Sequence, residues 1–469
     1  MNLEFARQKA AAIAFVLAVC YGSFYLGNAI VESPNMGLAV LVGLVPAAIC
    51  GWLILREGND TRFLLRLLLL ALCLRGAVAL WIDAKGLQGF FGGDALSFDF
   101  FGNALADAWR GKVDIDAPWL RSQVDLNRSG WGMPYYVGSI YYFIGRNSLA
   151  VQLINSALGA ATCVIVYKIA LIVYPERRVA RFAAVLTAVS PSMIIWSAQA
   201  LKDAPIVFCL AMCMYYALKL RDRLQIRSVV LLLVFLVGLY SLRHYAAYIV
   251  FIATAGTLIF SARRFTPVRV LQGGALVIVI GLAFAYFGAG EVAQTGFDLR
   301  RLQNAREWSA QVSKSGYGGE VDITDPAAAL GFLPVGVLYV LLAPFPWMIT
   351  NLRQLITLPE LLIWWAMIPF MLKGYWHSIK HRLREAFGIC VFTIGLTLAY
   401  ALFQSNVGTA YRHRAQLFGF FFVFISIGLE LRRVAKTNAR VRSMFNRPAD
   451  PGTPVPIPLA SKPFTPRAL

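Results

Sequence analysis

Charge is scarce in this chain: 14% of its 469 residues are Asp, Glu, Lys or Arg, only 24 of them acidic, against 58% hydrophobic. With a mean hydropathy of +0.63, that balance lies outside the soluble globular range. Several motifs are also missing. No P-loop, GxSxG, HExxH or post-strand GxGxxG occurs, which argues against ATP-driven transport and against hydrolase or dehydrogenase chemistry of the soluble kind. The seven cysteines contain no CxxC pair and no zinc-type spacing, and all fall inside apolar windows. They read as packing residues rather than disulfides or metal ligands.

What is present is a series of apolar windows, each long enough to cross a hydrocarbon core that takes about 20 helical residues. They begin near Ala10, Gly37, Phe63, Ser148, Val179, Ala204, Ser228, Tyr245, Val268, Glu360, Ala386 and Thr409. The chain therefore reads as an all-α polytopic integral membrane protein with about twelve spans. No small-residue cleavage site follows the first window, so it reads as a retained helix rather than a signal peptide.

The net charge of +20 does not point to nucleic acid, because the basic residues cluster in short connections between windows. REGNDTR, YPERRVAR, KLRDRLQIR, SARRFTPVR, HSIKHRLRE and ELRRVAKTNARVR alternate with poorly basic VESPN and ITLPE. By the positive-inside rule the first group is cytoplasmic, both termini are cytoplasmic, and residues 83–147 and 289–358 form outside loops. Residues 329–350 are apolar, but spanning would invert the following basic loop. Pro334, Pro344 and Pro346 also weaken a straight helix there, so the segment reads as re-entrant or lipid-contacting. Residues 1–431 form one transmembrane domain, and residues 432–469 a basic cytoplasmic tail. From Asn446 the tail holds seven of the 21 prolines, which predicts disorder.

The outside loop FFGGDALSFDFFGNALADAWRGK breaks at Gly92–Gly93 and predicts a helix from Ala95 to about Arg110, with Asp94 at its N-cap. Phe98, Phe101, Leu105 and Trp109 form one apolar stripe, so this helix is expected along the membrane interface. Asp94 either caps the helix or does chemistry, and both can hold. Asp99 and Asp107 lie off the stripe and suit a solvated face. MPYYVGSIYYFIG suits the headgroup level, as an aromatic anchor or as a platform over a cavity.

Basic residues at outside ends of spans ask for anionic partners. They are Lys202, for which the adjacent Asp203 or a lipid phosphate would serve, Arg243 with His244, and Arg412 with His413 and Arg414. Arg75 lies within a span and is expected to face the interior or a wet cavity. His377, His381 and Glu385 share a helix face, but in a basic loop a solvated charged face outweighs a metal site.

In order along the chain, an acidic outside loop, MPYYVGSIYYFIG, and NSALGAATCVIVYKIALIVYPERRVARFAAVLTAVSPSMIIWSAQALKDAP resemble the GT-C polyprenyl-phosphate-sugar glycosyltransferases. These are the relatives of protein O-mannosyltransferases and of the aminoarabinose transferase, and the likeness covers about residues 63–260. It implies extracytoplasmic juxtamembrane helices and a bacterial inner-membrane home. It further implies inverting transfer of a sugar from a polyprenyl-phosphate carrier to a glycan, lipid or protein acceptor. By position, Asp94 would be the general base, while Lys202, Arg243 with His244, Arg412 and Arg414 would hold phosphate, with Arg75 and Asp99 as further substrate contacts. No acidic pair stands at Asp94, and no WWDYG segment occurs. No cofactor is expected, though Asp94 with Asp99 could still ligate a divalent cation weakly. A lipid-linked-sugar flippase, or a surface-polysaccharide polymerase or ligase drawing on LRRLQNAR and RHR, are the rival readings. The flippase should show internal repeats and half-length helices, and neither is evident in the sequence.

Overall fold

The structure is a computed structural model that describes residues 34–445 apart from 92, 127–129, 261–266, 287–298, 314 and 350–351. The first expected span near Ala10, Gly92, and the tail from Asn446 lie outside the described residues. Among these residues the chain forms helices and one isolated bridge between Gly316 and Asn406, with no strand.

In chain order the helices are α1 (Pro34–Glu57), α2 (Thr61–Ala84), α3 (Gln88–Phe91), α4 (Asp94–Trp109), α5 (Pro118–Val124) and α6 (Gly132–Ile144). Next come α7 (Ser148–Val173), α8 (Arg177–Val189), α9 (Pro191–Ser197), α10 (Asp203–Asp222), α11 (Ile226–Leu242) and α12 (His244–Phe260). The last six are α13 (Pro267–Phe284), α14 (Leu299–Val312), α15 (Pro326–Leu342), α16 (Leu352–His381), α17 (Leu383–Phe403) and α18 (Val407–Phe445). Every apolar window from Gly37 onward coincides with one of them. Among the described residues six helices are long and apolar enough to cross a membrane, and the bent pair α8–α9 makes a seventh candidate. The fold is all-α and polytopic. Residues 432–445 continue α18 as helix, where the sequence reading began a tail.

The central helix is α7, packed against α1, α2, α8 and α10. Small residues on it let neighbours approach closely, which is how helices associate where lipid offers no hydrophobic drive. A Cβ on Gly159 would lie 2.7 Å from Ser197 Cβ and 2.8 Å from Arg75 Nε. Between α16 and α18, which run side by side, Gly374 meets the Phe424 carbonyl and Gly428 the Phe370 carbonyl at distances no Cβ would allow. Cys163, Cys213 and Cys390 are buried as expected, but Cys73 lies on the exposed face of α2.

The bend of 57° between α8 and α9 follows from Pro191, which has no backbone donor for the Thr187 carbonyl. Ser192 N turns instead to the Glu360 carboxylate at 3.1 Å, so the Ala188 carbonyl also loses its helical partner. Arg75 supplies both, donating to Thr187 O at 3.0 Å through one terminal nitrogen and to Ala188 O at 3.0 Å through the other. On the opposite side Glu360 accepts from the hydroxyls of Ser190, Ser192 and Tyr411. Side chains thus meet the Thr187 and Ala188 carbonyls and the Ser192 amide at the break, as a membrane interior requires.

The segment expected to re-enter or contact lipid forms helix α15 and then a short 3-10 turn at Pro346–Met348. α15 starts beside the α17–α18 turn, where Phe332 packs with Val407 and Tyr317. At its end Arg414 donates to the carbonyls of Leu341 and Ala343. Trp364 and Trp365 donate to Leu341 and Leu342. Beyond it Phe345 and Met348 pack in the same cluster as Ala343 and Val407. These donors satisfy the carbonyls that a helix end leaves open.

Replacing Arg75 by Leu strips both carbonyls of their donors in the interior. We expect a loss of about 3 kcal/mol, roughly 1.5 for each charged hydrogen bond, read as a lowered unfolding midpoint in detergent. An unchanged midpoint would show that the break does not need Arg75.

Candidate active site

The loop and turns expected outside meet at one end of the bundle, while Asp60–Arg181, Glu57–Lys168 and Arg221–Asp222 pair among the basic connections. At the first end α4 lies against α6, with Gly102 pressed on Val137 and Leu105 on Gly138. Most of the stripe faces protein: Leu105 is buried and Phe98 and Phe101 are partly buried, while Trp109 is exposed, as are Leu96 and Phe100 beside the stripe. Asp99 does not join a ligand set. It accepts from the Tyr141 hydroxyl and from Arg146 Nε at 3.0 Å, tying α4 to the end of α6.

Asp94 is the first residue of α4, Gly93 occupies the N-cap, and no side chain caps the helix. Capping is thereby removed as an explanation for Asp94. Its carboxylate instead accepts from Arg412 at 2.9 Å, across 318 residues of sequence, and its side chain stays 54% exposed.

Arg412 also grips Asp203, through Nε at 2.7 Å. Its guanidinium lies over Trp196, 5.5 Å from the ring centre. Asp203 is buried, and its second oxygen accepts from Gln416 Nε2 at 2.7 Å. Gln416 Oε1 in turn accepts from the Tyr400 hydroxyl at 2.7 Å and from Arg243 at 2.8 Å. Asp203 is thus the partner of Arg412 and Gln416, not of Lys202, whose ammonium sits 6.0 Å over the Phe98 ring. The turn carrying Lys202 is fixed by Asn155, which donates to the carbonyls of Gln199 and Leu201 and accepts from the Tyr136 hydroxyl. That contact gives MPYYVGSIYYFIG a place beneath the site.

Among the described residues, Lys202, Arg243 and Arg412 face Asp94 and Asp203, three positive charges against two negative. Such an excess favours an anion. His244 packs its ring against Tyr245 and Tyr248, and His413 stacks on Tyr400. Arg414 and Arg75 stand apart from the cluster, since both are engaged with backbone carbonyls, although Arg75 borders a water-sized cavity shared with Asp203 and Arg412. Among the described residues no group of three or more His, Cys, Asp or Glu could hold a metal ion; the rings of His377 and His381 lie tilted against each other, and His377 also meets Tyr174 edge-on.

Sequence reasoning missed Gln416, Tyr400, Trp196 and Asn155 as members of the site. One signal was available: Gln416 follows Arg412 by four residues, one helical turn.

Residues 132–287 match the family model described as dolichyl-phosphate-mannose-protein mannosyltransferase. The match supports the GT-C glycosyltransferase family. At the family level this indicates a glycosyltransferase that uses a polyprenyl-phosphate sugar. The matched stretch runs from α6 into α13 and holds Asn155, Lys202, Asp203 and Arg243, while Asp94 and Arg412 lie outside it. No curated protein matches the chain.

Burial draws the Lys202 ammonium down to about 8, with Arg243 pulling the same way and Asp203 opposing. An anionic donor favours the charged ammonium, so donor affinity should fall as pH rises through about 8. Donor KM measured on either side of that pH tests this: Lys202→Met should lack the alkaline rise, and a rise kept in that variant would place the titration elsewhere.

Proposed function

We propose that the protein is an inverting glycosyltransferase that moves a sugar from a polyprenyl-phosphate carrier to an extracytoplasmic glycan, lipid or protein, with Asp94 as general base. The observation that carries the reading is the Asp94–Arg412–Asp203 bridge: an exposed carboxylate sits beside a group of cations that carries one charge in excess. Asp203 is the poorer base, because it is buried and both its oxygens are engaged. Asp94 keeps the open side.

In this scheme the acceptor hydroxyl or amine gives its proton to Asp94 as it attacks the anomeric carbon from the face opposite the phosphate. The bond from that carbon to the phosphate oxygen breaks, and its electron pair leaves with polyprenyl phosphate. A diester with one negative charge becomes a monoester with about two, so fixed cations favour the products of bond breaking over the bound donor. Lys202, Arg243 and Arg412 supply them. One inversion follows from one displacement, and no nucleotide or other cofactor takes part. The site end faces outward in a bacterial inner membrane, with the basic connections on the cytoplasmic side.

Purified protein given a labelled sugar on a polyprenyl-phosphate carrier should transfer it, and Asp94→Asn should lower kcat about 10²- to 10⁴-fold, the usual contribution of a general base. Full activity in that variant would remove Asp94 from the role. Flux of carrier across liposomes without transfer would favour a flippase, and repeated addition to one glycan chain would specify a polymerase.

A further inference from the structure

The turn that presents Lys202 also presents an acid that this scheme leaves without a part. Asp203 Oδ2 accepts from Arg412 Nε at 2.7 Å and lies 2.5 Å from its NH2 as an ion pair. Its Oδ1 is held by Gln416, and Gln416 is held by Tyr400 and Arg243. One edge of the Arg412 guanidinium is therefore fixed by groups from α10, α17, α18 and the junction of α11 with α12. The remaining nitrogen, NH1, points the other way and meets Asp94.

The two bridges differ in what breaking them would leave. Parting Arg412 from Asp203 strands charge in a buried network, whereas parting it from Asp94 returns an exposed carboxylate to water. NH1 is thus the exchangeable contact, and it lies where the site has one positive charge in excess, matching the single charge of a phosphodiester.

We propose that Asp203 is a positioning residue for the donor phosphate: it holds Arg412 by the Nε/NH2 edge so that NH1 passes from Asp94 to the phosphate, releasing Asp94 once the donor is seated. The proposal rests on the glycosyltransferase reading above. Its consequence is that Asp94 and the phosphate compete for one nitrogen. The base is occupied in the empty enzyme and freed by the substrate that needs it.

Equilibrium binding of radiolabelled polyprenyl monophosphate to the full chain in detergent tests this without requiring transfer. Asp94→Asn should bind about 2- to 5-fold more tightly than wild type, the effect of deleting an exposed competing ion pair. Asp203→Asn should bind about tenfold more weakly and raise donor KM alone, with acceptor KM unmoved. Asp203→Glu, which keeps the charge, should recover part of the affinity. In Asp203→Asn/Asp94→Asn the gain from Asp94→Asn should vanish, because NH1 is no longer presented. Equal affinity of wild type and Asp94→Asn overturns the exchange, and this variant alters only an exposed side chain, so its folding is not in question. Equal loss of donor and acceptor KM in Asp203→Asn reduces Asp203 to a structural role and overturns the proposal too. A wild type that binds polyprenyl phosphate and transfers sugar, with affinity unmoved by Asp94→Asn, sinks the exchange alone. A wild type that neither binds nor transfers sinks the glycosyltransferase reading with it.

Discussion

The Arg412 guanidinium joins three distant parts of the chain, and the geometry of the site depends on it. Asp203 starts α10, Asp94 starts α4, and Arg412 lies on the second turn of α18. No two of them are neighbours in sequence. An arginine so placed is costly to bury unless its donors are matched, and here a buried carboxylate, an exposed carboxylate and the Trp196 ring meet its planar fork. Gln416 donates to Asp203 and accepts from the Tyr400 hydroxyl, which keeps the charge where a phosphate could use it.

That cluster stands on a break. Trp196 belongs to α9, whose direction is set where Pro191 interrupts the helix and where Arg75 and Glu360 take up the freed backbone groups. From there the chain enters the turn that Asn155 fixes, and Lys202 and Asp203 follow. Water is unavailable to repair a broken helix inside a bundle, so polar side chains must do it. Two residues with the look of functional charges, Arg75 and Arg414, turn out to serve carbonyls of this kind at the α8–α9 break and at the end of α15. Intramembrane arginine is a pointer to function only after its backbone duties have been counted.

Two kinds of information divide the remaining ground. Hydropathy placed helices wherever the chain from Gly37 onward was apolar enough, because a segment of that composition has no other low-energy state in lipid. Charge asymmetry separated the basic connections from the segments that gather at the Asp94 end. Proline and the topology argument together marked residues 329–350 as re-entrant or lipid-contacting, and the carbonyls at the end of α15 are held by Trp364, Trp365 and Arg414. Local capping was read less well: a glycine took the N-cap, leaving Asp94 free, because Arg412 offered the carboxylate a stronger partner than a backbone amide would.

The sequence by itself determined that this is an all-α membrane chain, which of its ends gathers cations, and which acid, Asp94, was worth following. These are properties of composition and of periodicity along one segment. Only the tertiary structure decided which charges meet. It turned Arg414, Arg75 and Asp99 away from the cluster and paired Asp203 with Arg412 rather than with Lys202. It also drew Gln416, Tyr400 and Asn155 into the site. Pairing between residues hundreds of positions apart follows from how helices pack and from where small residues let them approach, and no local pattern encodes that.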